Sequence, residues 1–199
     1  MPQKNTVFNL TSTFACYYEQ LGNEQRIIDN IPFEIPDNWQ WCCLDDITIL
    51  IMGQSPDGNS VSVEKCGTEF HQGKIYFSDK ILLESPQRTT EPSRIAPANS
   101  VLICVRAPVG TVNITPRQIC IGRGLASATP LAGISTDFLF YLLNARKSAL
   151  VEQATGSTFI SVTGEQIKEL FIPLPPLAEQ KKIVSRITQY ETILKSIQE

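Results

Sequence analysis

The chain has 199 residues, 42% of them hydrophobic, and a net charge of −3. That is enough for one domain with a small appendage and a buried core, so a folded chain rather than native disorder is expected. No run approaches the roughly 18 unbroken apolar residues of a membrane span, and Met1–Leu10 holds one Lys and no apolar secretory core, so a cytoplasmic location is expected.

In chain order, Phe14–Leu21 has the pattern of a short helix ended by Gly22-Asn23, within an otherwise unassigned lead-in over residues 1–30. Ile31-Pro-Phe-Glu-Ile-Pro-Asp-Asn-Trp39 is extended, because each proline disfavours helix at the residue before it. Phe33, Ile35, Trp39 and Trp41 are placed to pin this segment to a core. From Leu44 to Pro130 short apolar runs alternate with Gly, Pro, Asn and Asp. Ile47–Met52, Gly73–Phe77, Ser100–Arg106, Gly110–Ile114 and Gln118–Ile121 read as strands. Gly53–Asn59 and Ala107–Gly110 read as loops or turns.

A helix is expected over Asp137–Glu152, with Ser135 or Thr136 as N-cap and Phe138, Leu139, Leu142, Leu143, Ala149 and Leu150 on its apolar side. A shorter one follows Thr163, where Thr163-x-x-Gln166 matches a capping box. Ile172-Pro-Leu-Pro-Pro-Leu177 is stiff and extended and separates the domain from a final helix. In that helix Ile183, Ile187, Tyr190, Leu194 and Ile197 are spaced 4, 3, 4 and 3, the spacing of a coiled-coil seam. Two heptads are too short to be stable alone, so the stripe needs either a partner or its own domain to cover it.

Charge is distributed unevenly. Met1–Glu64 holds 2 basic and 9 acidic residues, Lys65–Arg123 holds 8 basic and 4 acidic, and Gly124–Glu199 holds 7 of each. Between Glu91 and Asp137 there is no acid, while Arg94, Arg106, Arg117 and Arg123 fall there. Phosphate contacts depend on local rather than net charge, so the middle of the chain is the candidate nucleic-acid surface; the alternative is an uneven but inert surface.

Catalytic chemistry finds no foothold. There is no G-x-x-x-x-G-K-[ST] and no G-x-S-x-G, and Gly122-Arg-Gly124 lacks the rest of a dinucleotide fingerprint. Pro56-Asp57 with Glu64-Lys65 lacks the residue between Glu and Lys that a nuclease centre requires. The single histidine, His71, leaves little room for acid–base work and has no neighbouring Cys with which to hold zinc. The six cysteines follow no C-x-x-C spacing and are expected as small buried hydrophobes. Neither a metal nor a cofactor is expected.

Several segments, in order, resemble the target recognition domains of type I restriction-modification specificity subunits. They are Ile31–Trp39, Gly53-Gln-Ser-Pro56, Phe70-His-Gln-Gly-Lys74, Val101–Gly110, Ile121-Gly-Arg-Gly-Leu-Ala126, and Ala154–Thr158 continuing through Ile172–Val184. Each is weak alone; their order over residues 31–186 is specific. The resemblance implies a non-catalytic protein that selects a double-stranded DNA sequence. It would direct methyltransferase subunits and, through them, the restriction subunit, to that target. Full-length members carry two recognition domains separated by long helices, whereas this chain holds one, a short C-terminal helix, and a lead-in unlike the family's charged helix. A half-subunit pairing with itself, a truncated form and a fragment are the alternatives; a symmetric pair should read a palindromic split site.

Arginine offers paired donors to guanine or phosphate, glutamine pairs with adenine, and small hydroxyl and glycine residues admit phosphates to the backbone. On those grounds Gln54, Ser55, Gln72, Lys74, Arg88, Arg106, Arg123, Ser157 and Thr158 are the expected DNA contacts. The alternatives are structural: Arg106 and Arg123 pinning loop carbonyls, Gln54 and Ser55 shaping a turn, and Thr155–Thr158 ending a helix. The fold expected is α+β: a twisted, strand-rich recognition domain over residues 31–173 with packed helices, then a projecting coiled-coil-type helix over 174–199, with homodimerisation one possible use of it. A docking module that binds methyltransferase subunits without DNA is the rival in another class, and a fragment of a fused enzyme is a weaker one.

Overall fold

The structure, a computed structural model, describes residues 17–21, 24–28, 33–64, 66–155 and 160–198. Tyr17–Leu21 (β1) and Glu24–Ile28 (β2) pair antiparallel, with Leu21 opposite Glu24. The helix expected over Phe14–Leu21 is therefore a strand where it falls within the described residues. Tyr17-Tyr18 and Ile27-Ile28 are strand-favouring pairs, and Gly22-Asn23, read as a helix stop, is equally a two-residue hairpin signal.

Gln40–Cys43 (β3) leads into a single helical turn, Leu44–Ile47 (α1), and then Thr48–Met52 (β4). The Asp46 carboxylate accepts from the Cys43 N–H at 2.8 Å, which starts α1 and takes Ile47 out of the strand expected there. Val61–Ser62 (β5), Thr68–His71 (β6), Arg88–Thr89 (β7), Ile95–Ala96 (β8), Ser100–Cys104 (β9), Val112–Thr115 (β10), Ile119–Ile121 (β11) and Leu125–Pro130 (β12) follow. Thr136–Ala145 (α2), Lys147–Gln153 (α3), Gly164–Lys168 (α4), Phe171–Leu174 (β13) and Leu177–Gln198 (α5) complete the chain.

One sheet has the order β10-β9-β12-β4, a second β5-β7-β6-β11-β8, and β13 pairs with β3. The α+β expectation holds. The sheets share a wall at β9. Val101 and Ile103 face a core closed by Phe138, Leu139, Leu143, Leu150, Ile167 and Leu170. Leu102 and Cys104 face a second core with Leu82, Ile119, Ile121 and Leu125. A strand buried on both faces needs a continuous apolar run, which is why Ser100–Cys104 shows no polar alternation. Each such side chain contributes about 1.5–3 kcal/mol on burial.

Two further expectations are corrected. Gly73–Phe77 is not a strand: Lys74–Tyr76 is a 3-10 turn in which the Phe77 N–H donates to the Lys74 carbonyl at 2.9 Å. Tyr76 and Phe77 pack on the second core while Ile75 stays exposed, so strand alternation fails. Asp137–Glu152 is two helices meeting at Arg146, with Ser135 as the cap. The Arg146 guanidinium donates to the Phe171 carbonyl at 3.1 Å and lies 5.7 Å from the Phe33 ring and 5.9 Å from that of Trp41. The break lets Leu143 and Leu150 both become fully buried. The proline-rich segment is extended as expected, its first half forming β13, in which Pro173 stands opposite Trp41 of β3. A two-stranded pair leaves proline's missing N–H at an edge, where it costs little.

The capping box at Thr163 and Gln166 forms as expected. Cys42, Cys104 and Cys120 are buried as expected, whereas Cys66 is exposed. Burial pushes the Cys42 thiol up to about 12 and that of Cys104 to about 11, so neither supplies a thiolate near neutrality. No described helix is long and apolar enough to cross a membrane.

Candidate nucleic-acid interface

Strands β6 and β11 run parallel with Ile121 opposite His71, so Gln72 and Gly122 leave the sheet side by side. The Gly122 N–H donates to the His71 carbonyl at 2.8 Å, and the Leu125 N–H closes a turn onto the Gly122 carbonyl at 3.0 Å. Arg123 sits at the tip of that turn. The end of β4 arrives at the same place, the Gly53 N–H donating to the Leu125 carbonyl at 2.9 Å and the Gln54 N–H to the Ile121 carbonyl at 3.0 Å. The Ile121 N–H reaches the Arg94 carbonyl at 2.9 Å, the Ser93 hydroxyl donates to the Gln54 carbonyl, and the Val105 N–H reaches the Gly124 carbonyl at 3.0 Å.

Two glycines permit this convergence. A Cβ on Gly53 would lie 2.2 Å from the Gly122 carbonyl oxygen, and one on Gly124 would lie 2.4 Å from that of Gln72. Backbone oxygens cannot give way at such distances, so a side chain at either position would force the segments apart.

The crossing gathers Gln54, Ser55, Gln72 and Arg123, residues far apart in sequence. The Ser55 hydroxyl donates to Gln72 Oε1 at 2.8 Å, and the Arg123 N–H points at Ser55 Oγ from 3.5 Å. Lys74 follows two residues after Gln72, and Arg106 follows Val105; both are exposed, as are Gln54, Gln72, Arg94 and Arg123. Arg94 was in the acid-free interval but outside the expected contact set, and charge patterning was the signal for it. Ser157 and Thr158 lie outside the described residues. Their flanks are near, because Ser161 bridges both Arg106 and Thr155.

Arg88 stands apart from this group. It pairs with Glu84 and lies 4.0 Å from the Glu69 carboxylate, on the β7 position opposite Glu69. Arg117, from the same basic interval, likewise turns inward, its Nη2 donating to Glu69 Oε1 at 2.6 Å. Glu69 is buried and also accepts from the Ser85 N–H at 2.9 Å and meets His71 Nε2 at 2.6 Å. Burial pushes its carboxyl up, but the Arg117, Ser85 and His71 donors outweigh that and hold it at about 2. Burial lowers the His71 pKa, so near neutrality the ring is neutral, donates from Nε2 to the carboxylate, and leaves Nδ1 without a partner among the described residues. His71 is the single histidine of the sequence, and its acid partner two residues earlier sits on the same face of β6. Among the described residues no group of His, Cys, Asp and Glu is placed to hold a metal.

The C-terminal helix divides along its length. Ile183 and Val184 pack on the first core and Ile187 is half-buried. Beyond that point Tyr190, Leu194 and Ile197 are 64%, 60% and 74% exposed. Glu191 ties α5 back to α2 by accepting from the Tyr141 hydroxyl at 2.9 Å.

Residues 36–199 match the family model of the type I restriction modification DNA specificity domain. The chain is 37% identical over 164 residues to the MjaX type I restriction enzyme specificity subunit of Methanocaldococcus jannaschii, covering 81% of this chain and 38% of that protein. Its fold matches the HsdS subunit of Thermoanaerobacter tengcongensis with a TM-score of 0.74 at 33% identity, over 84% of this chain and 40% of that one. A chain from a structural study of complex assembly and conformational transition of the type I R-M system matches with a TM-score of 0.75 at 34% identity, over 83% and 41%. The chain thus spans about two fifths of the length of these relatives. It belongs to the type I restriction-modification DNA specificity family.

Proposed function

We propose that this chain reads double-stranded DNA through the crossing of residues 53–55, 72–74, 94, 106 and 122–124, as one recognition domain of a type I specificity subunit. The observation that carries this is the convergence of exposed Gln54, Gln72, Lys74, Arg94, Arg106 and Arg123 around the glycine-tight turn at Gly122–Leu125. Cationic side chains on exposed turns reach phosphates, and the neutral amides between them suit base edges. Within this reading residues 31–173 act as the recognition domain and the exposed end of α5 as a partner surface. That surface would meet methyltransferase subunits, which bring the restriction subunit, or a second copy of the chain. The chemistry would belong to those partners, in the cytoplasm where the DNA lies.

Titration of a duplex of mixed sequence with salt tests the reading. Counterion release makes log K fall linearly with log salt, with a slope of about −0.9 per phosphate neutralised. Arg106→Ala and Arg123→Ala should each weaken binding and, if they touch phosphate, reduce the slope by about 1. Salt-independent or undetectable binding would leave docking as the role of the chain.

A further inference from the structure

We infer that Ser55 and Gly122 lock the Gln72 carboxamide into one orientation, making it a donor-only reader that selects guanine or thymine over adenine or cytosine at one target position. The inference rests on the DNA-reading function proposed above. The orientation follows from the direction of the hydrogen bonds. The Ser55 hydroxyl donates to Gln72 Oε1 across 2.8 Å, while the Arg123 N–H approaches Ser55 Oγ at 3.5 Å, an arrangement that uses the oxygen as acceptor and leaves its proton for the amide. The Gln72 atom receiving it must be an acceptor, which is Oε1.

Packing holds the same pose. A Cβ at Gly122 would lie 2.3 Å from Gln72 Oε1 and 2.8 Å from its Cδ, so the amide rests directly against the glycine. With its oxygen engaged by Ser55 and set against Gly122, the amide has the two protons of Nε2 left to offer a base.

That changes what glutamine can recognise. Paired recognition of adenine needs both the amide oxygen and the amide nitrogen at the base edge, to meet N6 and N7. A donor-only amide instead matches the adjacent O6 and N7 acceptors of guanine, or O4 of thymine. It opposes the amino groups of adenine and cytosine. The adenine pairing expected of a free glutamine is therefore replaced by a preference for keto bases.

The test is selection of the full chain, and of its variants, against a randomised duplex library with sequencing of the bound pool. Thermal unfolding of each variant guards against misfolding. The wild type should enrich a motif with one position favouring G or T by about tenfold or more. Ser55→Ala should reduce that preference to below about threefold by freeing the amide to rotate, Ser55→Thr should retain it, and Gln72→Ala should abolish it. Gln72→Glu, which presents an acceptor, should turn the same position towards A or C. A motif unchanged by all four substitutions, or an adenine at the position that Gln72→Ala releases, overturns the inference and leaves DNA reading intact. No motif, together with no salt-dependent duplex binding, overturns both.

Discussion

His71 Nε2 lies 2.6 Å from Glu69 Oε1, with both side chains buried, on the strand whose next residue is Gln72. Both groups have folded-state pKa values below their ordinary ones, His71 below 6.5 through burial and Glu69 at about 2 instead of 4.5. A depressed folded pKa means that the unfolded chain binds protons more readily, so stability is complete above the unfolded pKa and is lost as pH falls. Denaturant midpoints should decline as the pH drops below about 6.5, through His71, and more steeply below about 4.5, through Glu69. His71→Asn should flatten the first limb; an unchanged limb would show that His71 does not titrate with unfolding.

Glu69 organises four donors, and its removal leaves Arg117 donating to the Leu82 and Leu83 carbonyls without its counter-charge. The Arg117 side chain is 34% exposed, so water takes over part of the lost pairing and the cost is that of the unmet hydrogen bonds, about 1–3 kcal/mol. Glu69→Ala should lower stability by about that amount in urea unfolding at neutral pH, and Glu69→Gln by less, since the shape and one of the two acceptor oxygens survive.

Gly53 and Gly122 contribute to the same crossing but should respond differently to alanine. At Gly53 the new methyl meets backbone oxygens at 2.2 and 2.6 Å, so the crossing itself must open. At Gly122 it meets the end of the flexible Gln72 side chain at 2.3 and 2.8 Å, and backbone only at the Gln72 Cα, 3.1 Å away, where a shift of a few tenths of an ångström suffices. Gly53→Ala should therefore destabilise the fold by about 1–3 kcal/mol or more, as overpacking does. Gly122→Ala should lower the melting temperature less than Gly53→Ala does, and lose base preference. Equal destabilisation by both would contradict this distinction.

Arg88 and Arg123 belong to the same basic stretch, but only Arg123 is exposed at the crossing. Arg88 is held between Glu84 and Glu69. Arg123→Ala should weaken duplex binding by about tenfold with little change in stability, and Arg88→Ala should do the reverse. Fluorescence anisotropy with a labelled duplex, beside thermal melts, separates the two.

The end of α5 gives a fourth contrast. Leu194 and Ile197 are 60% and 74% exposed, so Leu194→Glu and Ile197→Glu should change stability by no more than about 0.5 kcal/mol. If the stripe seats a partner, the wild-type chain should sediment as an assembly, alone or with a methyltransferase subunit, and the double variant should sediment as a single chain. Assembly by both would move the partner surface elsewhere.

Local physics alone determined much of this protein. Ser100–Cys104 is a strand because five consecutive apolar or small residues suit a doubly buried position, and Thr163-x-x-Gln166 starts a helix because both capping bonds lie within four residues. The heptad stripe of α5 was likewise legible from spacing. What only the tertiary structure decided is which charges face outward. Arg88, Arg94, Arg106, Arg117 and Arg123 look alike in sequence, but a carboxylate at position 69, paired across β6 and β7, claims Arg88 and Arg117 and leaves the other three exposed. The orientation of Gln72 was equally out of reach, because it depends on Ser55 and Gly122, 17 and 50 positions away, meeting at the ends of parallel strands. Periodicity reports the environment of a residue along its own segment; the partner of a long polar side chain is set by segments that meet only once the chain has folded.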